Sequence, residues 1–231
     1  MDATSTQIAI VGGTGPQGRG LAARFAAAGL AVRLGSRDGE RAGAAAVEAA
    51  ALAARLTRGA AGDAAGDVTG TANVEAVAGA DMVLVAVPWA AHADTLRELA
   101  PVMSGQIVID CVNPLGFDER GPYALAVDEG SAAEQAQVLL PGSRVVAAFH
   151  HVSALLLLDG DRTSMDTDVL VLGDDRSAAD AVVALAGVVP GMRGVFAGRL
   201  RNAGQVEALT ANLIAANWRY KTHTGVRLTG I

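Results

Sequence analysis

Residues 8–18 read Ile-Ala-Ile-Val-Gly-Gly-Thr-Gly-Pro-Gln-Gly, a short apolar run followed by glycines spaced G-x-G-x-x-G at Gly13, Gly15 and Gly18, at the mouth of an Ala-rich segment. A buried strand that passes through a glycine turn directly into a helix constrains the fold strongly, because it is the opening half of a βαβ unit and implies a parallel sheet. In such a unit Gly13 allows the tight turn, Gly15 lets the backbone approach a pyrophosphate, and Gly18 lets the helix pack closely on the sheet. The first helical N–H groups and the helix dipole then favour an anion. Pro16 suits the first turn, where an N–H lacks an intrahelical partner anyway, and Thr14 adds a hydroxyl donor. Gly13-Thr14-Gly15-Pro16-Gln17-Gly18 is therefore the candidate dinucleotide-binding turn.

The alternation continues along the chain. Helix is expected over 16–28, stopped by Gly29, strand over 31–34 and helix over 40–56. A loop is expected over 59–67, then a short strand near Val68 and a short helix over 73–78. The all-apolar run 82–87 has the look of a central parallel strand, and helix 91–100 and strand 106–110 follow it. Residues 116–130 carry Gly, Pro and acids without period and read as a surface insertion. Helix 132–139, strand 144–149, strand 168–172 and helix 178–186 precede a long amphipathic helix over 202–221. The expected fold is α/β, a doubly wound Rossmann-type parallel sheet with a small C-terminal part containing the terminal helix. The expected division is a nucleotide-binding domain over 1–150 and a smaller C-terminal domain over 151–231.

Apolar residues make up 51% of the chain and aromatics 3%, so the core is built from small aliphatic side chains and the chain is not disordered. No apolar stretch reaches the roughly 18 residues of a membrane span. The polar start lacks a basic segment, which leads to the expectation of a cytoplasmic protein without a signal peptide. A net charge of −6 argues against nucleic acid and anionic membranes as partners. Residues 181–231 nevertheless carry six basic residues against Glu207 alone, an asymmetry open to two readings, an anionic ligand or ordinary surface charge. The single cysteine, Cys111, is expected to be buried.

At the end of the second strand, where an NAD site places an acid for the ribose hydroxyls, stands Gly35-Ser36-Arg37, with Arg41 one helical turn on. Ser36, Arg37 and Arg41 form a clamp for a 2′-phosphate and point to NADP; Asp38, free to serve a ribose hydroxyl, is the competing reading. The ends of the other strands should line the same crevice: Val87-Pro88-Trp89, with Trp89 either a wall or a packing residue; Asn113, either a ligand contact or a turn cap; and His150-His151. At the end of strand 144–149, strand alternation points the two histidines to opposite faces. His150 is the expected site residue, in a positioning role, with His151 structural and no metal between them. His92 reads as a hydrogen-bonded structural residue. There is no nucleophile elbow, no phosphate-binding loop of the G-x-x-x-x-G-K type, and one lysine, Lys221. So bare a site suits hydride transfer between two carriers, each supplying its own redox chemistry.

Taken in order, Gly12-Gly13-Thr14-Gly15 with Gln17-Gly18-Arg19-Gly20, Gly35-Ser36-Arg37 with Arg41, Val87-Pro88-Trp89 with His92, Phe149-His150-His151-Val152-Ser153-Ala154, Gly173-Asp174-Asp175 and the ending His223-Thr224-Gly225-Val226-Arg227 resemble the NADPH-dependent reductases of the deazaflavin coenzyme F-420 (F420). The resemblance implies NADP(H) at Thr14, Ser36, Arg37 and Arg41. It implies F420 as co-substrate in a cleft between the Rossmann domain and the C-terminal part, with contacts from His150 onward, Val152 among them, and a homodimer joined through the C-terminal part. The basic C-terminal stretch is then a counter-charge for the phosphate and glutamate tail of F420. Residues 155–165 match the family less closely. Two other readings stand beside it: an NADPH-dependent reductase of a small imine or keto substrate, using His150 or Lys221 as proton donor, and an NADP-sensing regulatory protein without turnover.

Overall fold

The computed structural model describes residues 6–57 and 65–231. The opening unit is β1 (Gln7–Val11), the glycine turn, α1 (Pro16–Ala27), β2 (Ala31–Ser36), α2 (Gly39–Leu56), β3 (Val68–Ala72) and α3 (Asn73–Val77). Gly29, at φ +87°, supplies the left-handed residue that ends α1 and turns the chain into β2. Most of the loop expected over 59–67 lies outside the described residues. The second half begins with β4 (Met82–Val85), α4 (Trp89–Leu99) and β5 (Ile107–Asp110). It continues through β6 (Leu115–Asp118), β7 (Gly121–Ala124), α5 (Ala132–Leu139) and β8 (Arg144–Ala147). It closes with α6 (Ala154–Leu157), β9 (Thr167–Gly173), α7 (Arg176–Gly187), β10 (Met192–Gly198) and α8 (Ala203–Tyr220).

Eight strands form one sheet in the order β10-β9-β8-β5-β4-β1-β2-β3. Strand alternation sorts its side chains between two cores. Ile8 and Ile10 pack with Leu21 and Phe25 of α1, Ala45 and Ala49 of α2 and Val182 of α7. Ala9 and Val11 pack with Val77 of α3, Leu96 and Leu99 of α4, Ala136 of α5 and Val206 of α8. Helices therefore cover both faces, the doubly wound α/β arrangement expected, with a long C-terminal helix. After β3 the chain returns to the other side of β1 to lay down β4, and this reversal opens a crevice at the carboxyl ends of β1 and β4.

The structure departs from the expected plan at β9, at β10, where no strand was expected, in the stretch 116–130 and at the end of β8. β9 pairs antiparallel with β8, so β9 and β10 run against the other six strands. The stretch 116–130 is not irregular throughout, since β6 and β7 pair as an antiparallel hairpin from Leu115↔Ala124 to Asp118↔Gly121. β8 ends at Ala147, two residues short of the expected boundary, so alternation along it says nothing about where His150 and His151 point. Strands on both sides of position 150 belong to the same sheet. No helix among the described residues is long and apolar enough to cross a membrane.

Candidate active site

The glycine turn divides its work differently from the motif's first reading. Gly12, not Gly13, adopts the left-handed φ of +73°. Gly13 is required by space, because a Cβ there would stand 2.7 Å from Leu34 Cδ2 and 2.9 Å from the Ile10 carbonyl. A Cβ on Gly18 would lie 2.7 Å from Gly13 Cα, so α1 packs directly on the turn. At Gly15 a Cβ would meet nothing nearer than 3.6 Å, leaving open space in front of the helix. No side chain caps α1 and no acid lies in its first turn, so its leading N–H groups face that space.

A cleft of about 680 Å³ runs from this turn across the end of β2, lined by Thr14, Gly15, Pro16, Gln17, Ser36, Arg37, Asp38, Arg41, Val87 and Pro88 among others. The competition between Asp38 and the arginines is decided locally. The Asp38 carboxylate caps α2, accepting from the N–H groups of Glu40 at 3.0 Å and Arg41 at 3.2 Å. Arg37 and Arg41 are exposed and have no acidic partner among the described residues, leaving both guanidinium groups for an external anion. Ser36 Oγ accepts from the Asp38 N–H at 3.3 Å and keeps its own proton to donate. Asn73, which the motif reading did not single out, lines the same cleft with a buried Oδ1 that has no partner. Its place at the carboxyl end of β3 is the signal that would have found it.

Beyond Pro88 the cleft continues into a junction of about 250 Å³ between Gln17, Val87, Pro88, Trp89, Cys111, Val112, Asn113 and His150. Past His150 a second lobe of about 590 Å³ opens between the segment 150–155 and α8. Gln17 and His150 line both spaces. Gln17 Nε2 also donates to the Phe149 carbonyl at 3.3 Å, tying the start of α1 to the turn that carries the histidines. Phe149 holds the left-handed conformation at φ +65°, rare for a large side chain, while fully buried and edge-on to Phe25 at 5.9 Å. This turn, rather than strand alternation, aims His150 and His151, and both line the second lobe together with Val152, Leu213, Ile214 and Trp218.

His150 is buried and neither ring nitrogen has a partner. Burial lowers its pKa to about 4 against the opposing pull of Asp110 and the backbone at Cys111 and Val112, so it is a neutral imidazole with one donor and one acceptor. His151 Nε2 lies 2.9 Å from the Asp168 carbonyl and its Nδ1 is unpartnered; burial brings its pKa to about 4 as well. Asn113 has a third role beside the two expected. Its Nδ2 donates to the His150 carbonyl at 2.9 Å, and its Oδ1 accepts from Thr210 of α8 at 3.3 Å, so it positions the histidine turn from within the protein. Cys111 is buried as expected, its Sγ 3.1 Å from the Val85 carbonyl, and burial raises the thiol pKa.

The basic C-terminal stretch is only partly available to a ligand. Asp168, fully buried, takes Arg193 Nη2 and Arg227 Nη1 at 2.7 Å each, and Arg227 also pairs with Asp166. Those hydrogen bonds, Arg193 foremost, hold the Asp168 carboxyl well below the usual carboxylate range. Arg193 and Arg227 are thus an internal clasp for the chain end, while Lys221 and His223 line the second lobe.

Comparison with known proteins gives this geometry its context. The family described as "NADP oxidoreductase coenzyme F420-dependent" matches residues 7–114. The F420-dependent NADP reductase of Methanothermobacter thermautotrophicus is 38% identical over 230 residues, covering 97% of this chain and 95% of that protein. The enzyme of the same name from Methanocaldococcus jannaschii is 35% identical over 228 residues, covering 97% of this chain and 99% of its own. Among solved structures, one from Arthrobacter sp. FB24, named as a candidate F420-dependent NADP reductase, superposes with a TM-score of 0.76 at 26% identity, covering 97% of this chain and all of that one. With full-length relatives above 30% identity and a two-lobed cleft behind its glycine turn, the chain belongs to the family of F420-dependent NADP reductases.

Proposed function

We propose that the protein transfers a hydride reversibly between NADP(H) and F420, with NADP(H) in the lobe beneath α1 and F420 in the lobe beneath α8. The observation that carries this is the continuous cleft: two lobes meet at Gln17 and His150, and the first is lined by Arg37 and Arg41. When both are bound, the nicotinamide and deazaflavin rings supply the redox chemistry between them.

The protein's own work is positioning. The uncapped start of α1 and Gly15 receive the pyrophosphate, and Ser36, Arg37 and Arg41 receive the 2′-phosphate. Val87, Pro88 and Trp89 set the depth of the nicotinamide end. Neutral His150 offers a donor and an acceptor to the ring edge of the second substrate, and Val152, Leu213, Ile214 and Trp218 provide apolar walls against its faces. Lys221 and His223 stand at the rim for an anionic tail. On this reading residues 1–150 carry the nucleotide site and 151–231 the opposing wall and the contact with a second copy. The cytoplasm, where reduced nicotinamide is made and used, is the compartment it implies.

The test is absorbance in the deazaflavin band on mixing pure protein, oxidised F420 and NADPH, with NADH as control. Bleaching with NADPH and much less with NADH is expected. Silence with both, in a protein shown to bind NADPH, would overturn the reading.

A further inference from the structure

Behind the wall of Pro88 and Trp89 lies a buried polar cluster that this reading leaves unused. His92, one turn into α4, is fully buried, with Nε2 2.7 Å from Asp110 Oδ2 and Nδ1 2.9 Å from Gln135 Oε1. The orientation of the Gln135 amide is set independently, because its Nε2 donates to Glu129 Oε2 at 3.1 Å. An oxygen therefore faces each ring nitrogen of His92, and only the imidazolium can donate from both. Burial works to lower the pKa of His92, but the hydrogen bond and charge of Asp110 outweigh it, with Gln135 and Glu207 adding to them, and the net direction is upward.

The cluster touches both walls of the junction. The Trp89 ring stacks on the His92 ring, centroids 5.4 Å apart and tilted by 32°, an arrangement that a cationic ring strengthens. Asp110 uses its second oxygen to accept the Val112 N–H at 3.0 Å, shaping the turn 111–113 that faces Trp89 across the junction. That turn carries Asn113, which holds the His150 carbonyl.

We propose that His92, pinned between Asp110 and Gln135, is a positioning residue for hydride transfer, fixing Trp89 on one side of the junction and the turn 111–113 on the other. The proposal rests on the reaction assigned above and concerns which residue sets its geometry. His92 meets no substrate; it acts through Trp89 and Asp110. Loss of its proton removes one of its two donors and leaves the buried Asp110 carboxylate without its counter-charge, so both walls are free to shift. The titratable groups facing it are Asp110 from β5, Glu207 from α8 and, through Gln135 of α5, Glu129. Glu207, raised by burial to about 7, ionises in the neutral range, and its charge favours the charged form of His92.

The experiment measures kcat for NADPH oxidation by F420 from about pH 5.5 to about 9.5 in the wild type, Asp110→Asn and His92→Gln, with the NADPH Kd taken in parallel. In the wild type kcat should fall as pH rises through a value above the ordinary histidine range. Asp110→Asn removes the counter-charge, and the falling limb should move to lower pH. His92→Gln should lose that limb and run about ten- to a hundred-fold slower at neutral pH, with NADPH Kd within about twofold of wild type, the split expected when geometry rather than binding is disturbed. Substrate ionisations are common to all three proteins, so the shift between them is the readout. An unmoved limb in Asp110→Asn, or wild-type kcat in His92→Gln, overturns the proposal. If neither variant folds, the ring resonance of His92 in the wild type decides, among only four histidines. Titration at or below the ordinary value overturns the assignment, and titration above it supports it. Wild-type protein that transfers no hydride refutes the reaction itself, a separate outcome.

Discussion

Arg37 and Arg41 can serve a phosphate because Asp38, standing between them in sequence, is engaged in capping α2. Arg37→Ala or Arg41→Ala should weaken NADPH binding by roughly 1.5–3 kcal/mol each, about ten- to a hundred-fold, by loss of charge-assisted hydrogen bonds. NADH binding should stay within about twofold, and equal loss for both nucleotides in a fluorescence titration would refute the phosphate clamp. The residues proposed for the clamp could be picked out of the sequence because their placement depends on local chemistry: a glycine turn, a strand end and a helix start. The roles of Arg193 and Arg227 were not, since a basic residue looks the same whether its partner is a ligand or a buried Asp168 contributed by another strand. Glu207 is a third such case, its carboxylate accepting from the N–H groups of Ala132 and Ala133 at the start of α5. Burial raises its folded-state pKa to about 7, above the unfolded value, so its contribution to stability is fully present below about pH 4.5 and is lost as pH rises to about 7. The loss is on the order of 3 to 4 kcal/mol. Thermal melts should show this decline in the wild type and not in Glu207→Gln; parallel curves would count against it.

Elements follow the same division between local and distant causes. α1, α2, α7 and α8 were readable because Ala-rich segments with helical apolar spacing specify helices from within, with Asp38 and Asp175 capping α2 and α7. β10 was missed because Met-Arg-Gly-Val-Phe-Ala-Gly, with two glycines and an arginine, becomes a strand through parallel pairing with β9. The hairpin of β6 and β7 turns through Glu119 and Arg120, which are not the usual turn residues. α6 is four residues long and is held from outside by Arg24, a buried residue of α1. Its guanidinium donates to the carbonyls of Leu157 and Leu156 at 3.0 Å, Asp159 at 2.8 Å and Arg162 at 2.5 Å. Ala154 and Leu155 line the second lobe, so this one side chain couples α1 to the lobe proposed for F420. Arg24→Met keeps the aliphatic stem but leaves four carbonyls without their donor, at about 1–3 kcal/mol for each one that stays buried. The expected result in steady-state kinetics is a KM for F420 raised several-fold with the NADPH Kd unchanged. A raised NADPH Kd at constant F420 KM would mean that Arg24 serves the wrong lobe.

At the scale of the molecule, α8 forms one wall of the second lobe, and the β6–β7 hairpin packs against it. Phe117 of β6 and Trp218 of α8 lie with ring centroids 6.5 Å apart, 61% and 60% exposed. Two such aromatics offer roughly 180–300 Å² of apolar surface, between about a fifth and two-fifths of the ~800 Å² that each partner brings to a standard interface. Trp218 faces both ways, lining the second lobe while its ring continues the exposed patch. On the proposed function a second copy of the chain would pack on this patch, closing with two-fold symmetry over the rim of the second lobe. Phe117 lies outside the lining of the lobe, so Phe117→Asp separates the two effects. Light scattering should find the wild type as a dimer at micromolar concentration and Phe117→Asp as a monomer that still binds NADPH normally. If the partner seals the lobe, the monomer's F420 KM rises several-fold, and dilution of the wild type through its dissociation range reproduces that rise without any mutation. A wild type that is monomeric at micromolar concentration while turning over at full rate would show instead that α8 forms the wall unaided.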